Sequence, residues 1–231
     1  GGRSSATEKK FWKVQTFVRE LELLVEHLGF KQFHLFGGSW GTTLALEYYL
    51  KGRNQGKVES LIFQSPMFSA ADWQRDANQL IAKLPAKERK IIRYCHEIGA
   101  TDSKVYQSAM KLYYARHVCR NKAKSKRGSL IKNAHGNQVY AYMWGASEFS
   151  ATGTLKNYNK VNQLEKIDCP TLFICGEHDE ASPKTAKQYA KKISDAAFVE
   201  IKNASHAILA EKPSKLIKTI RHFVTRIDIN K

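Results

Sequence analysis

The segment at residues 37–41, Gly-Gly-Ser-Trp-Gly, constrains the fold more than any other part of this chain. It has the pattern Gly-x-Ser-x-Gly and joins a short apolar run over residues 31–36 to a run with helical periodicity over residues 42–50. A serine at such a strand-to-helix joint occupies a strained turn that lifts its hydroxyl above the sheet edge. We expect both motif glycines to be required, because side chains there would collide with the neighbouring strand and helix. The alternative is a glycine-rich turn with an idle serine.

Strand-like and helix-like runs alternate on both sides of a long central block. The strand-like runs lie at residues 32–37, 58–65, 171–176 and 198–202. The helix-like runs lie at residues 11–28, 40–50, 183–193 and 214–227. This alternation predicts an α/β fold with a mostly parallel sheet that is covered by helices on both faces.

The central block, residues 67–159, contains only helix-like stretches, at residues 70–84, 86–98, 102–119 and 136–148. We interpret it as an inserted all-helical lid over the carboxyl edge of the sheet, where open α/β sheets bind ligands. An insert that only decorates the surface is the alternative. The predicted division is therefore a core made of residues 1–66 and 161–231, with a lid at residues 67–160.

Composition narrows the function classes. No apolar stretch among the 231 residues is long enough to cross a bilayer, so we expect no membrane partner. The net charge of +17 favours acidic partners, but the basic residues lack the aromatic interleaving of nucleic-acid binders, and we expect no nucleic-acid partner. The four cysteines form no Cys-x-x-Cys pair, which favours free thiols and a cytoplasmic protein. Histidine spacing indicates no metal site, and we expect no cofactor.

Three residues of the types needed for nucleophilic catalysis each follow a predicted strand. The Ser39 hydroxyl needs a base, and the base needs a partner that fixes its tautomer. Asp179 follows the strand at residues 171–176 and His206 follows the strand at residues 198–202. The order Ser39, Asp179, His206 is that of the α/β-hydrolase catalytic triad, and the backbone N–H of Trp40 would then supply half of an oxyanion hole. Taken singly, the aspartate would be read as a turn former and the histidine as structural.

Five segments together resemble the proline iminopeptidases, which are α/β-hydrolases of the prolyl aminopeptidase type, close to the tricorn-interacting aminopeptidase. They are Gly-Gly-Ser-Trp-Gly at 37–41, Met-Trp-Gly-Ala-Ser-Glu-Phe at 143–149, Ala-Thr-Gly-Thr-Leu at 151–155, Gly-Glu-His-Asp-Glu at 176–180 and Ser-His at 205–206. The likeness runs along nearly the whole chain. It implies an α/β-hydrolase fold and a serine aminopeptidase that releases N-terminal proline, or another small residue, from short peptides through an acyl-enzyme.

The resemblance also implies a set of substrate-binding residues. Hydrogen bonds to a charged α-amine are strong, and acidic side chains suit that task. The two amine-binding glutamates of the family match Glu148 and Glu180, and a lid tyrosine that assists them matches Tyr140. Trp144 would help to wall an apolar slot for the proline ring. From the residues alone, Glu180 is equally a solvated loop carboxylate, Glu148 a surface helix residue and Trp144 part of a lid core.

One part of the family pattern is absent from this sequence. The resemblance implies an upstream loop of His-Gly-Gly-Pro-Gly type, preceded by several strands, which completes the oxyanion hole. We therefore expect the N-terminal strands of the fold to be missing from this chain and to be supplied by a further segment of the same polypeptide. Two other classes stay open: another α/β-hydrolase, acting as an esterase, amidase or lactonase, and a non-catalytic hydrolase-like binding protein.

Overall fold

The computed structural model describes residues 8–121, 134–145 and 151–229. Within these residues one parallel sheet has the strand order β1-β2-β3-β4, which is also the order along the chain. The strands are β1 (Phe33–Gly38), β2 (Val58–Gln64), β3 (Thr171–Gly176) and β4 (Ala196–Ile201). The predicted α/β architecture with a parallel sheet is confirmed, and each strand lies close to its predicted position.

Helices connect the strands and fill the segment between β2 and β3. They are α1 (Val14–His27), α2 (Trp40–Tyr49), α3 (Ala70–Ile81), α4 (Ala86–Glu97), α5 (Lys104–Tyr113), α6 (Ala134–Met143), α7 (Pro183–Ala190), α8 (Ile208–Glu211) and α9 (Pro213–Ile229). In the described residues, each helix is too short or too polar to span a bilayer. Helix α1 ends before Gly29, whose φ of +67° is the left-handed conformation that commonly terminates a helix.

Both faces of the sheet are buried, as expected for parallel strands whose crossovers carry helices. Successive residues of β2 point to opposite faces, so that Leu61 and Phe63 join one apolar cluster while Ile62 joins another. The first cluster includes residues of α1 and α2, and the second includes Leu216 of α9. Core packing therefore fixes the strand ends, where the candidate site residues lie.

The helical block between β2 and β3 has an apolar cluster of its own. Its buried members are Ala77, Leu84, Ile92, Cys95, Tyr106, Ala109, Met110 and Tyr113. The two ends of the block meet in an antiparallel bridge between Ser69 and Asn159, so the insert leaves and re-enters the core at one place. The block therefore has an apolar core of its own and is joined to the rest of the chain at one place, as expected for a lid that folds as a unit. The lid boundaries at residues 67 and 160 stay a prediction.

Polar contacts fasten the first lid helix to the core. The buried Asp76 of α3 accepts hydrogen bonds from Arg75 and from the Thr185 hydroxyl of α7. The Tyr189 hydroxyl of α7 donates to Asp72 Oδ2 at 2.8 Å. Because α7 directly follows the loop that carries Asp179, these contacts hold the lid against that loop.

One buried carboxylate joins α1 to the end of α2. Glu22 is 2 % exposed and accepts hydrogen bonds from Arg53 at 2.6 Å, from Asn54 at 3.1 Å and from Lys51 at 3.4 Å. Burial by itself raises the pKa of this carboxyl, but the hydrogen bonds from Arg53, Asn54 and Lys51 outweigh it and lower the pKa to about 2. The charged form of Glu22 therefore stabilises the folded state.

We expect Glu22→Gln to lower the free energy of unfolding at pH 7 by about 2 kcal/mol, less than the full pKa shift corresponds to, because Arg53 and Lys51 are screened by solvent. The carboxyl pKa falls on folding, so this contribution is complete above the ordinary pKa of 4.5 and is lost as the pH falls towards about 2. Urea unfolding at pH 7 and pH 3 measures it, with the exposed Glu26→Gln as the control. An equal loss in both variants at pH 7 would contradict the prediction.

Candidate active site

The predicted elbow is a strained turn between β1 and α2. Ser39 has φ 54° and ψ −124°, and its N–H donates to the Gln64 carbonyl at 2.8 Å. A Cβ on Gly37 would lie 2.3 Å from the Gly41 carbonyl oxygen, so Gly37 is required as predicted. A Cβ on Gly41 would meet no atom within 4 Å, and the expectation of a steric requirement there is wrong. The backbone carbonyl of Gly41 lies against the Cα of Gly37, so a side chain is excluded at Gly37 but not at Gly41.

Asp179 and His206 come together at the carboxyl edge of the sheet. His206 Nδ1 lies 2.8 Å from Asp179 Oδ1, and Asp179 is 2 % exposed. A carboxylate only accepts, so Nδ1 carries the proton and Nε2 is left with a lone pair. The same carboxylate accepts the backbone N–H groups of Ala181 at 2.9 Å and Gly176 at 3.2 Å. Asp179 is therefore held as an anion that orients the imidazole.

Two residues at the end of β2 complete this arrangement. Ser65 is fully buried, has φ 53°, and donates its hydroxyl proton to Asp179 Oδ2 at 2.6 Å. Gln64 accepts the Ser39 N–H with its carbonyl and donates its side-chain amide to the His206 carbonyl at 3.3 Å. Sequence reasoning missed both residues. The available signal was their position directly at a strand end, next to the strand that carries Ser39.

Ser39 is the N-cap residue of α2 and is half-buried. Ser39 and His206 are connected through their shared neighbour Gln64. Trp40 is the first residue of α2, and the first N–H groups of a helix have no acceptor within the helix. The Trp40 N–H is therefore suited to bind a negatively charged oxygen beside Ser39.

A cleft with an acidic wall adjoins His206. Glu180 is 1 % exposed, and its Oε1 lies 3.9 Å from His206 Nδ1. Glu180 lines the cleft together with Asp76 and Trp73, and the space is about 230 Å³, part of it open to solvent. The Trp73 ring stands edge-on to the His206 ring, with centroids 5.8 Å apart. The prediction did not include Trp73, because a tryptophan at helical spacing gives no sign of the loop it will contact.

The other predicted binding residues have different positions. Trp144 is 6 % exposed and packs edge-on against Trp73, so it lies in the core cluster behind the cleft wall. Its role as a wall of the apolar slot stays a prediction. The Tyr140 side chain is 42 % exposed, and its carbonyl accepts the N–H of Trp144. Glu148 lies outside the described residues.

Lid residues bind the backbone of the loop that carries His206. The His206 N–H donates to the His117 carbonyl at 3.0 Å, and the Ala207 N–H donates to the Val118 carbonyl at 2.8 Å. His117 Nδ1 lies 3.0 Å from the His178 carbonyl and must donate to it. Burial, with help from the positive charge of Arg116, lowers the pKa of His117 to about 4. The His117 ring is thus neutral near pH 7.

Among the described residues, one group has ligand atoms close enough to hold a metal ion, and it lies away from this site. His34 Nε2 is 3.4 Å from Glu59 Oε2 and 3.3 Å from Asp228 Oδ1, while Nδ1 is 2.8 Å from the Ser60 hydroxyl. Five residues of extended strand, roughly 16 Å, separate His34 from Ser39. These contacts join the sheet to α9, at the end of β1 opposite to the Ser39 turn.

Comparison with known proteins assigns the family. A family model for the alpha/beta hydrolase fold matches residues 1–213. The proline iminopeptidase of Heyndrickxia coagulans is 34% identical over 220 residues, which cover 94% of this chain and 75% of that protein. The chain belongs to the proline iminopeptidase family of α/β-hydrolases. This confirms the predicted family, and the protein is a hydrolase.

Two solved structures share the architecture. The crystal structure of a proline iminopeptidase from Mycobacterium smegmatis superposes with a TM-score of 0.86 at 30% identity, over 97% of this chain and 75% of that chain. The crystal structure of VinJ gives a TM-score of 0.87 at 28% identity, over 96% of this chain and 75% of that chain. The predicted α/β-hydrolase fold is confirmed.

Removing the Ser65 hydroxyl tests its role at Asp179. We expect Ser65→Ala to lower hydrolytic kcat about tenfold, because a hydrogen bond to a charged group is worth about 1.5–3 kcal/mol and Asp179 would lose its shortest one. Ser60→Ala is the matched control, since Ser60 is a fully buried serine within β2, the strand that Ser65 follows, but it bonds His34 instead. Both variants should lose similar unfolding free energy. Equal kcat in the two variants would remove Ser65 from the site.

Proposed function

We propose that the protein is a serine aminopeptidase that releases N-terminal proline, or another small residue, from short peptides. The observation that carries this proposal is the buried Glu180 carboxylate, 3.9 Å from the imidazole that Asp179 orients. A peptide with a free N-terminus has its cationic amine within a few ångströms of the carbonyl that is attacked. An acidic wall beside the base thus matches an aminopeptidase substrate better than a neutral ester.

The composition of the cleft walls supports a substrate with an apolar ring and a cationic amine. Trp73 and Pro66 give the cleft apolar walls, while Glu180 gives it negative charge, since the charge of Asp76 is offset by Arg75. A proline ring with its secondary ammonium group complements both properties, because the ring is apolar and the amine is cationic. Glu148, by its match to the family, is proposed as the second amine-binding carboxylate, with Tyr140 as a helper.

The proposed reaction is acyl transfer through a triad of Ser39, His206 and Asp179. Ser39 Oγ attacks the carbonyl carbon of the N-terminal proline while its proton moves to His206 Nε2. Asp179 keeps the Nδ1 proton and stabilises the imidazolium, and the Trp40 N–H binds the oxyanion. The C–N bond then breaks, the leaving amine takes the proton from Nε2, and Ser39 carries the prolyl ester. Water, deprotonated by His206, attacks that ester and releases proline, and the proton returns to Ser39 Oγ.

We also propose that the protein works in the cytoplasm. Its four cysteines, Cys95, Cys119, Cys169 and Cys175, are free thiols, and three of them are buried. Burial raises the pKa of the Cys169 and Cys175 thiols, so these residues behave as small apolar side chains. Free thiols are typical of proteins from reducing compartments.

Ser39→Ala tests the nucleophile in the full gene product. We expect it to lower the rate of proline-β-naphthylamide cleavage by at least about 10⁴, because the acyl-enzyme can no longer form. A fluorophosphonate should label wild type and leave Ser39→Ala unlabelled. Cleavage of a p-nitrophenyl ester but not of the proline substrate would identify an esterase instead. A full-length protein that neither reacts with the label nor cleaves either substrate would be a binding protein.

Charge removal at Glu180 tests the amine site. We expect Glu180→Gln to lower kcat/KM for proline-β-naphthylamide about 10- to 100-fold, since one charge-assisted hydrogen bond is worth about 1.5–3 kcal/mol. The same should hold for Glu148→Gln. Hydrolysis of p-nitrophenyl acetate, which has no amine, should stay within about twofold.

The matched control for both changes is Glu165→Gln, an exposed carboxylate that pairs with Lys192. It should leave both substrates unaffected. Normal cleavage of the proline substrate by both Glu180→Gln and Glu148→Gln would disprove the amine site and leave the triad untouched.

A further inference from the structure

Glu211, the last residue of α8, binds two chain segments with one carboxylate. Its Oε2 accepts the Ser205 N–H at 2.5 Å, and both of its oxygens lie 3.0 Å from the Ser205 hydroxyl. Its Oε1 also accepts the backbone N–H of Arg120, which follows the π-helical turn Tyr114–Val118 of the lid. Ser205 directly precedes His206. The carboxylate therefore joins the lid to the loop that carries the proposed base.

Four backbone groups around His206 have partners from α8, the lid or β2. The N–H groups of residues 205, 206 and 207 donate in turn to Glu211, to the His117 carbonyl and to the Val118 carbonyl. The His206 carbonyl accepts from Gln64. The two lid carbonyls lie only two and three residues before Arg120, so Glu211 also fixes the segment that supplies them. Its carboxylate thus acts on the His206 backbone directly and through the lid.

Loss of the Glu211 carboxylate would leave hydrogen-bond donors without acceptors in a buried region that water does not reach. Ser205 is fully buried, and its N–H and hydroxyl both use Glu211. Buried donors without partners are costly, so the segment would have to shift to reach water. A shift of 1 Å at a catalytic group can cost about 100-fold in rate.

We propose that Glu211 is a positioning residue for His206. It holds the imidazole in line with Asp179 and under the lid, and it acts through His206 without touching substrate. This inference rests on the proposed function in one respect, namely that His206 is the base. It adds a residue outside the triad and the amine site, at the junction of core and lid.

The test uses Glu211→Ala and Glu211→Gln in the full gene product. We expect Glu211→Ala to lower kcat for proline-β-naphthylamide about 100-fold, with KM changed less than about threefold, and to slow fluorophosphonate labelling of Ser39 in the same ratio. Glu211→Gln should lie between Glu211→Ala and wild type, because its amide keeps one acceptor oxygen but turns an NH₂ group towards other donors. Since the amide has nearly the size of the carboxylate, Glu211→Gln also serves if Glu211→Ala does not fold.

Glu177→Gln is the matched control. Glu177 also accepts a backbone N–H from the same loop, that of Asn203 at 2.9 Å, and it pairs with Lys202, whereas the Ser205 and Arg120 N–H groups both bind Glu211. The kcat and labelling rate of Glu177→Gln should stay within about twofold of wild type. A loss of kcat equal to that of Glu211→Gln would show that any carboxylate bound to this loop has the effect, which overturns the proposal.

A readout independent of substrate separates positioning from stability. In wild type the Nδ1 proton of His206, bonded to Asp179, should give a protected downfield proton resonance, assigned with His206→Gln. In folded Glu211→Ala or Glu211→Gln, below the unfolding temperature, we expect its exchange with water to be at least about tenfold faster. Unchanged exchange together with unchanged kcat overturns the inference. Faster exchange in a protein that does not cleave the proline substrate would support it while the proposed function fails.

Discussion

The arrangement of the site depends on the anionic state of one buried carboxylate, Asp179. Its two oxygens accept four hydrogen bonds, from the Ser65 hydroxyl, from the Gly176 and Ala181 N–H groups and from the His206 ring. The donors come from the ends of β2 and β3 and from the loop after β4. A buried charge of this kind is tolerated only when it is fully hydrogen-bonded. The hydrogen bonds to Asp179 therefore fix three strand ends relative to one another, and the side chains of the site are held rigidly as a result.

The lid is held to this edge by contacts on both sides of the cleft. On one side α3 bonds α7 through Asp76 and Thr185, and on the other the backbone at 117–118 bonds the backbone at 206–207. Glu211 reinforces the second contact. The lid thus does more than cover the cleft, because it supplies hydrogen bonds that the His206 loop would otherwise lack. A lid in this position is part of the framework of the site.

The sequence predicted the features that depend on local pattern and failed where side chains from distant segments meet. The strained turn at Ser39 and the positions of Asp179 and His206 could be read from strand-to-loop transitions. Ser65 follows a strand in the same way, but its hydroxyl is recognisable as a partner of Asp179 only once strand order and register are known. The steric requirement expected at Gly37 was correct, whereas a Cβ on Gly41 would meet no atom within 4 Å, and the sequence motif alone could not distinguish the two positions. The family resemblance pointed to Trp144, but the tryptophan whose ring packs against His206 is Trp73, and only the three-dimensional packing shows this.

The net charge of the chain is positive, whereas the charge of the cleft beside His206 is negative. Which of the two acts on a ligand depends on its distance from the cleft. The chain carries +17, which repels a cationic peptide amine at long range, yet the cleft beside His206 is walled by the carboxylates of Glu180 and Asp76. At physiological ionic strength exposed charges are screened beyond about 8 Å, while charges in a buried cleft are screened much less. Under the proposed function, an amine that enters the cleft meets the Glu180 carboxylate, while the charge of Asp76 is offset by Arg75. The proposal thus assigns the selection of substrate charge to local geometry and gives the basic surface an effect on the approach alone.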